Sequence, residues 1–231
     1  MSEIESIIEQ GLARGQGALS EYWSKKVLAA AGVPVTREEL AGDADQAVAL
    51  AGEIGFPVAL KACSWRLMHK SEAGAVALNL TGADAVRTAY ERVAGAADEL
   101  EGVLVQEMVA GSRELVAGLI RDPQFGACVM VGLGGVLTEV LQDTAFRVAP
   151  LDLGEAQDMI SELRCAAMLE RFRGQAAVDR QELGRMLIAL GGLGLEHPAV
   201  AEIDVNPIIA DRQGRLKAAD ALVVLRGGDH A

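Results

Sequence analysis

The stretch FPVALKACSWRLMHKS, residues 56–71, joins an apolar strand to basic and histidine side chains. Residues 58–60 are apolar and Lys61 ends the run, which is typical of a buried strand that stops at an edge of the fold. An ammonium group held there can meet an anionic ligand. His69 follows in a polar segment, where a neutral imidazole can serve as a nucleophile or a proton carrier. Together the two residues suggest phosphate chemistry.

Composition limits what this chain can bind. With 231 residues, it fits one large domain or two lobes of about 100 residues each. Its net charge of -12 argues against binding to nucleic acid or to an anionic membrane, since both need a basic surface. The first ten residues lack the pattern of a signal peptide, and no run approaches the roughly 18 apolar residues of a membrane span. We therefore expect a cytoplasmic protein.

Helix caps and hydrophobic periodicity predict an α+β architecture, with two lobes meeting near residues 102–109. The expected helices begin at the caps Ser20, Asp43 and Asp84, the last of them running to about Leu100, and two more lie near 155–170 and 179–193. The expected strands are 57–61, 74–80, 103–109, 113–121, 127–133, 203–209 and 216–225.

The clearest acidic pattern is EIDVNP, residues 202–207. Strand alternation puts Glu202, Asp204 and Asn206 on one face. Asp220 lies on the neighbouring predicted strand and would complete a set of oxygen ligands suited to Mg²⁺. A polar edge strand would produce the same pattern.

Other polar residues are weaker signals when taken singly. Lysines such as Lys25 usually lie on solvated faces. Glu107, at the expected lobe junction, and Glu114 are placed where a carboxylate can accept from ribose hydroxyls. Arg147 fits either a phosphate clamp or a surface ion pair with Asp143. The glycines of 132–135 fit a tight turn as well as a turn that approaches phosphate.

Taken in order, these segments resemble the ATP-grasp β subunit of the NDP-forming acyl-CoA synthetases, also called ADP-forming acetyl-CoA synthetases. The resemblance spans about residues 18–225. Its motifs are SKKVL (24–28), GVPV (32–35), GFPVALK (55–61), HKSEAG (69–74), VQEM (105–108), DPQFG (122–126), GLGG (132–135), FRVAP (146–150), RG (173–174) and EIDVNP (202–207).

This resemblance implies an ATP-grasp fold with the nucleotide in a cleft between two lobes. The lobes would comprise residues 18–102 and 103–231, after an N-terminal extension over 1–17. Lys25 and Lys61 would contact the phosphates of ATP or ADP. The adenine hinge would contain Glu107 and Val109, with Glu114 near the ribose. Arg147, from its own sequence context, stays a candidate catalytic residue for phosphate. Mg²⁺ would be held by Asp204, Asn206 and Asp220.

The resemblance also implies a phosphohistidine relay. An acyl phosphate would form on a separate CoA-binding α subunit, and a histidine of that subunit would take its phosphoryl group. His69 would then carry the phosphoryl group to ADP. The expected assembly with this α subunit is a hetero-oligomer, namely a heterotetramer. Two alternatives remain from the residues themselves: a stand-alone ATP-grasp ligase that joins a carboxylate to an amine, and a non-catalytic nucleotide-binding module.

Overall fold

The structure, a computed structural model, describes residues 1–66, 74–97, 99–135, 143–171 and 174–227. Its helices are α1 (Glu3–Ala13), α2 (Glu21–Ala30), α3 (Ala44–Ile54), α4 (Ala83–Ala94), α5 (Leu153–Glu162) and α6 (Arg180–Glu196), with a 3₁₀ turn at Ala166–Leu169. Its strands are β1 (Glu38–Ala41), β2 (Val58–Cys63), β3 (Val76–Leu80), β4 (Gly102–Glu107), β5 (Arg113–Asp122), β6 (Gly126–Leu133), β7 (Thr144–Val148), β8 (Val200–Ala210), β9 (Leu216–Ala218) and β10 (Ala221–Leu225).

These elements form two compact units that alternate along the chain. The larger unit contains Met1–Leu19, Trp23–Val35 and the described residues from Val109 onward, and the smaller contains the described residues of Ser20–Tyr22 and Thr36–Met108. The units therefore differ from the consecutive lobes expected over 18–102 and 103–231. The physical reason is burial: Val27 and Leu28 of α2, and Ile7 and Ile8 of α1, pack into the core of the larger unit.

The larger unit is built on an antiparallel sheet in the order β10-β8-β5-β6-β7, with β9 pairing to β8. Helices α5 and α6 cover one face of this sheet. Alternate residues of β5 and β6, including Ala117, Leu119 and Val129, point toward the helices and are buried. The other residues of each strand lie on the opposite face, which carries the polar side chains of β8.

The smaller unit has an antiparallel sheet in the order β1-β4-β2-β3. Its core joins Val58 and Leu60 of β2 and Val105 of β4 to the apolar faces of α3 and α4. As the sequence indicates, Asp43 caps α3, and its side chain accepts from the backbone of Gln46 at 2.8 Å.

Several expected boundaries were wrong. Helix α4 is capped by Gly82, and Asp84 lies in its first turn, where an acid interacts favourably with the helix dipole. The helix ends at Ala94 because Gly95 forms its C-cap, well before Leu100. The helix expected over 155–170 is divided into α5 and a 3₁₀ turn, and the strand expected over 216–225 is divided into β9 and β10. Within the described ranges, no helix has the length and apolar character needed to cross a membrane.

Candidate functional site

The acidic residues of β8 lie on the sheet face opposite α5 and α6. Ile203 and Val205 are buried in the core, so the alternating residues Glu202, Asp204 and Asn206 project the other way. Strand β10 pairs with β8 so that Ala221 faces Val205, which brings the preceding residue, Asp220, beside Asn206. The backbone N–H of Asn206 donates to the Asp220 carbonyl at 3.2 Å. The three expected metal ligands, Asp204, Asn206 and Asp220, therefore lie at neighbouring positions in β8 and directly before β10.

The electrostatics of this face favour a bound cation. Burial raises the pKa of Asp204, and the neighbouring charges of Glu202 and Asp220 raise it further. A divalent cation would relieve that repulsion, so the residues fit Mg²⁺. No cluster of three or more His, Cys, Asp or Glu ligands occurs in the parts of the chain that the structure describes. Two carboxylates and one amide suit Mg²⁺, which takes its remaining ligands from phosphate oxygens and water.

Lys25 lies next to these carboxylates. It is on α2, only 1% exposed, and its Nζ donates to the carbonyl oxygen of Ala219 at 3.2 Å, one residue before Asp220. Its position is fixed by the preceding residue, since the Ser24 hydroxyl accepts from the backbone N–H of Val223 in β10 at 3.0 Å. The larger unit thus places a buried ammonium group near the proposed metal ligands, which is unlike the solvated lysine that composition alone suggests.

Glu114 lies beside a cavity of about 280 Å³ in the larger unit. It alternates with the buried Leu115 in β5 and is itself exposed. The cavity is lined by Ser112, Arg113, Glu114, Leu133, Gly134, Gly135, Met168 and Leu169. The N–H of Gly134 donates to the Glu114 carbonyl at 2.7 Å, and a Cβ at Gly134 would lie 2.9 Å from the Glu114 carbonyl carbon. The glycines therefore allow the backbone to approach Glu114 closely.

Arg147 points to the other face of the sheet. It pairs in register with the buried Val129, and its guanidinium forms a bidentate ion pair with Glu162 of α5, which raises the pKa of Arg147. The alternative partner, Asp143, instead accepts from the backbone N–H groups of Arg164 and Cys165, each at 2.8 Å. The structure thus separates Arg147 from the carboxylates of β8, and this geometry does not favour a phosphate clamp.

In the smaller unit, Lys61 forms a buried ion pair with Glu21. The Lys61 Nζ is 2.7 Å from Oε1 of Glu21, and the two residues are 8% and 3% exposed. The sequence analysis missed Glu21 as a functional candidate. An acid in the first turn of a helix usually interacts with solvent and the helix dipole, so no local signal distinguished this one.

Glu107 and Lys61 lie on opposite faces of the smaller sheet. Glu107 lies directly opposite Val58 in the strand register, so the two side chains share a face of the sheet. Lys61 follows Val58 by three residues, so its side chain points to the other face. The Glu107 carboxylate accepts from the backbone N–H of Arg37 at 2.7 Å and lies 3.6 Å from the Arg37 guanidinium. The backbone N–H of Glu107 donates to the Arg37 carbonyl at 2.9 Å, so a role for Glu107 at a nucleotide base would fall to its backbone carbonyl.

Two further expected residues complete the set. The Val109 carbonyl accepts from the N–H of Gly111 at 3.0 Å, in the turn that leads to β5. Gly111 is required there, because a Cβ would lie 2.0 Å from the carbonyl oxygen of Ala210. His69 lies outside the described residues, so its proposed relay remains a prediction.

Comparisons with known proteins show a likeness along nearly the whole chain. Residues 10–225 match the family described as an ATP-grasp domain. The β subunit of ADP-forming acetate–CoA ligase I from Pyrococcus furiosus is 37% identical over 231 residues, which cover 97% of this chain and 99% of that subunit.

Solved structures agree with that likeness. Dinucleotide-forming acetyl-coenzyme A synthetase 1 from Ca. Korarchaeum cryptofilum, in complex with coenzyme A, Ca-AMPCP and HgCl+, superposes with a TM-score of 0.91 and 40% identity, covering 96% of this chain and 99% of that one. Another structure of that enzyme holds coenzyme A and Mg-AMPPCP, with its phosphohistidine segment pointing towards the nucleotide binding site. It superposes with a TM-score of 0.87 and 39% identity, covering 97% of this chain and all of that one.

Proposed function

Because the chain belongs to the ATP-grasp family of ADP-forming acyl-CoA synthetase β subunits, we propose that it is the nucleotide-binding subunit of such an enzyme. With a separate CoA-binding α subunit, it would interconvert acyl-CoA, ADP and phosphate with a carboxylate, CoA and ATP. The observation that carries this proposal is the likeness over 99% of the length of a relative that is itself a β subunit.

We assign the metal role to the polar face of β8. Asp204, Asn206 and Asp220 would hold Mg²⁺, which neutralises phosphate charge when bound. The raised pKa of Asp204 supports this assignment, because an acid that is costly to ionise alone becomes favourable beside a divalent cation.

We assign nucleotide contacts to residues within each of the two units separately. In the larger unit, Lys25 would contact phosphate and Glu114 would accept from the ribose hydroxyls. In the smaller unit, Lys61 would contact phosphate. The base would be read by the backbone carbonyl of Glu107 and, in the larger unit, by the backbone of Val109, since the carboxylate and N–H of Glu107 are both bound to Arg37. These roles rest on the family likeness and on the positions of the side chains.

We further propose that His69 carries the phosphoryl group. In the direction of ATP synthesis, the P–N bond of the phosphohistidine breaks as an oxygen of the ADP β-phosphate bonds to phosphorus, and the released imidazole nitrogen takes up one proton. The lysines would stabilise charge on the transferring group, because phosphoryl transfer depends chiefly on positioning and electrostatics.

A phosphorylation assay tests this function. The chain is combined with its CoA-binding α subunit and labelled ATP, and the β chain is analysed for acid-labile, base-stable phosphate. We expect labelling and turnover in the natural sequence, and loss of both in His69→Ala with nucleotide binding retained. His197→Ala is the matched control, since His197 lies at the C-cap of α6, and it should remain active. Full turnover by His69→Ala would exclude the relay and favour a ligase that needs no phosphohistidine.

A further inference from the structure

The buried pair of Glu21 and Lys61 is held in place from both sides. Glu21 lies in the first turn of α2, and its two chain neighbours each hydrogen-bond to another part of the smaller unit. The Ser20 hydroxyl donates to Glu101 at 3.1 Å, and the Tyr22 hydroxyl donates to Glu39 at 2.8 Å. Three consecutive residues therefore fix the Glu21 carboxylate 2.7 Å from the Lys61 Nζ.

Stability alone is a poor reason for such a pair. Removing two charges from water costs free energy that their attraction only partly returns, and apolar residues of similar volume often serve a core equally well. Lys61 also lies on the sheet face opposite the apolar core of α3 and α4, since the alternating residues Val58 and Leu60 occupy that core. Its ammonium group thus faces Glu21 rather than the interior of the unit.

We propose that Glu21 is a positioning residue for phosphoryl transfer and acts through Lys61. This inference rests on the proposed function, in which Lys61 contacts a phosphate. A lysine ammonium group ends a flexible four-carbon chain and has three donors. By accepting one of them in a fixed direction, Glu21 would hold the ammonium group in one orientation toward an approaching phosphate. The Glu21 carboxylate would itself repel phosphate, so its contribution depends on the lysine.

The expected kinetic signature separates kcat from KM. In the complex with the α subunit, Glu21→Gln should lower kcat about tenfold, because the ammonium group is no longer held in the position that the transition state requires. The KM for ADP should stay unchanged or fall, because removing a negative charge beside Lys61 strengthens its attraction for phosphate. Glu21→Asp keeps the charge with a shorter reach and should restore part of the lost kcat.

A double-mutant cycle distinguishes positioning from a merely structural role. If Glu21 acts through Lys61, adding Glu21→Gln to Lys61→Met should change kcat less than about twofold, because the group that Glu21 positions is already absent. Glu21→Gln leaves the buried Lys61 ammonium group without its carboxylate, which can destabilise the fold. The double variant removes both charges, so it remains informative if Glu21→Gln folds poorly. In that case, the Glu21→Asp variant and the double variant decide the question.

A matched control is available in the same unit. Asp45 and Arg87 form an ion pair with the same N···O distance, 2.7 Å, but both side chains are exposed. Asp45→Asn should leave kcat and KM unchanged. An equal loss of kcat from Glu21→Gln with and without Lys61, or an unchanged kcat in Glu21→Gln, would overturn the positioning role. If the natural complex itself shows no ADP or ATP turnover, the proposed function fails instead.

Discussion

Asp204 carries a charge that the folded chain disfavours. Its pKa is raised by burial and then by Glu202 and Asp220, so the folded state binds a proton there more tightly than the unfolded state does. The resulting loss of stability is absent below the unfolded pKa of about 3.9 and complete above the folded pKa. Stability therefore falls as pH rises through that window, in return for a face that attracts cations.

Replacing this acid should make the chain more stable and less able to bind Mg²⁺. In EDTA at pH 7, we expect Asp204→Asn to raise the free energy of unfolding by about 0.5–2 kcal/mol, because it removes a buried charge near two others. The gain should shrink as pH is lowered through the folded pKa of Asp204. Urea unfolding at several pH values measures both effects.

The same variant should bind Mg-ADP at least about tenfold more weakly, because it loses a metal ligand. Glu9→Gln, on the exposed face of α1 in the same unit, provides the control and should change neither quantity. If Asp204→Asn proves less stable than the natural chain at pH 7, the ionised Asp204 carboxylate does not destabilise the folded state as argued above.

Helix α6 depends on glycines where it meets the larger sheet. A Cβ at Gly194 would lie 2.6 Å from a methyl group of Leu119 and 3.1 Å from the Cβ of Ala127, and Leu119 is fully buried. A Cβ at Gly192 would meet nothing within 4 Å. The two glycines are two residues apart on the same helix, yet of the two only Gly194 is required for packing against the sheet.

These positions give a prediction with a built-in control. Gly192→Ala should stabilise the chain by about 0.5–1 kcal/mol, because alanine forms helix better than glycine. Gly194→Ala gains the same propensity but overpacks the core, which typically costs about 1–3 kcal/mol, so its net effect should be destabilising. Chemical unfolding of the two variants measures the difference. Equal stabilisation by both would mean that α6 moves away from the sheet at no cost.

Local rules predicted those elements whose ends are set by neighbouring residues. Asp43 acts as the N-cap of α3 as expected, and the alternation in β8 placed its acids on one face. Features that depend on distant contacts were not predictable in this way. The packing of α1 into the larger core, the partner of Lys61 and the direction of Arg147 each depend on residues far along the chain.

The resemblance supplied most of the candidate site, because spacing alone was equally compatible with a structural or solvent-exposed role for each residue. The structure adds which of these residues share a surface. Lys25, Asp204, Asn206 and Asp220 are neighbours within one unit, whereas Arg147 lies on the reverse of the same sheet. Such separation is decided by strand register, and a shift of one residue would exchange the two faces.

At the scale of the whole molecule, the chain binds an anion despite its own negative charge. The net charge of -12 repels free ADP, and screening leaves the repulsion effective over about 10 Å at 0.1 M salt. Two buried lysines oppose this field locally, although Lys61 is paired with Glu21. The acidic face of β8 would repel nucleotide without a cation, so we expect nucleotide binding to depend on Mg²⁺.

Ligand-induced stabilisation tests that dependence on the intact chain. A ligand that binds the folded state at 100 times its Kd raises the free energy of unfolding by about 2.7 kcal/mol. We expect Mg-ADP in such excess to raise the unfolding temperature, and the same ADP concentration in EDTA to raise it much less. Asp220→Asn should reduce the difference between the two conditions, because it removes a proposed ligand. Equal stabilisation with and without Mg²⁺ would refute the metal role while leaving nucleotide binding intact, whereas no stabilisation in either condition would refute both.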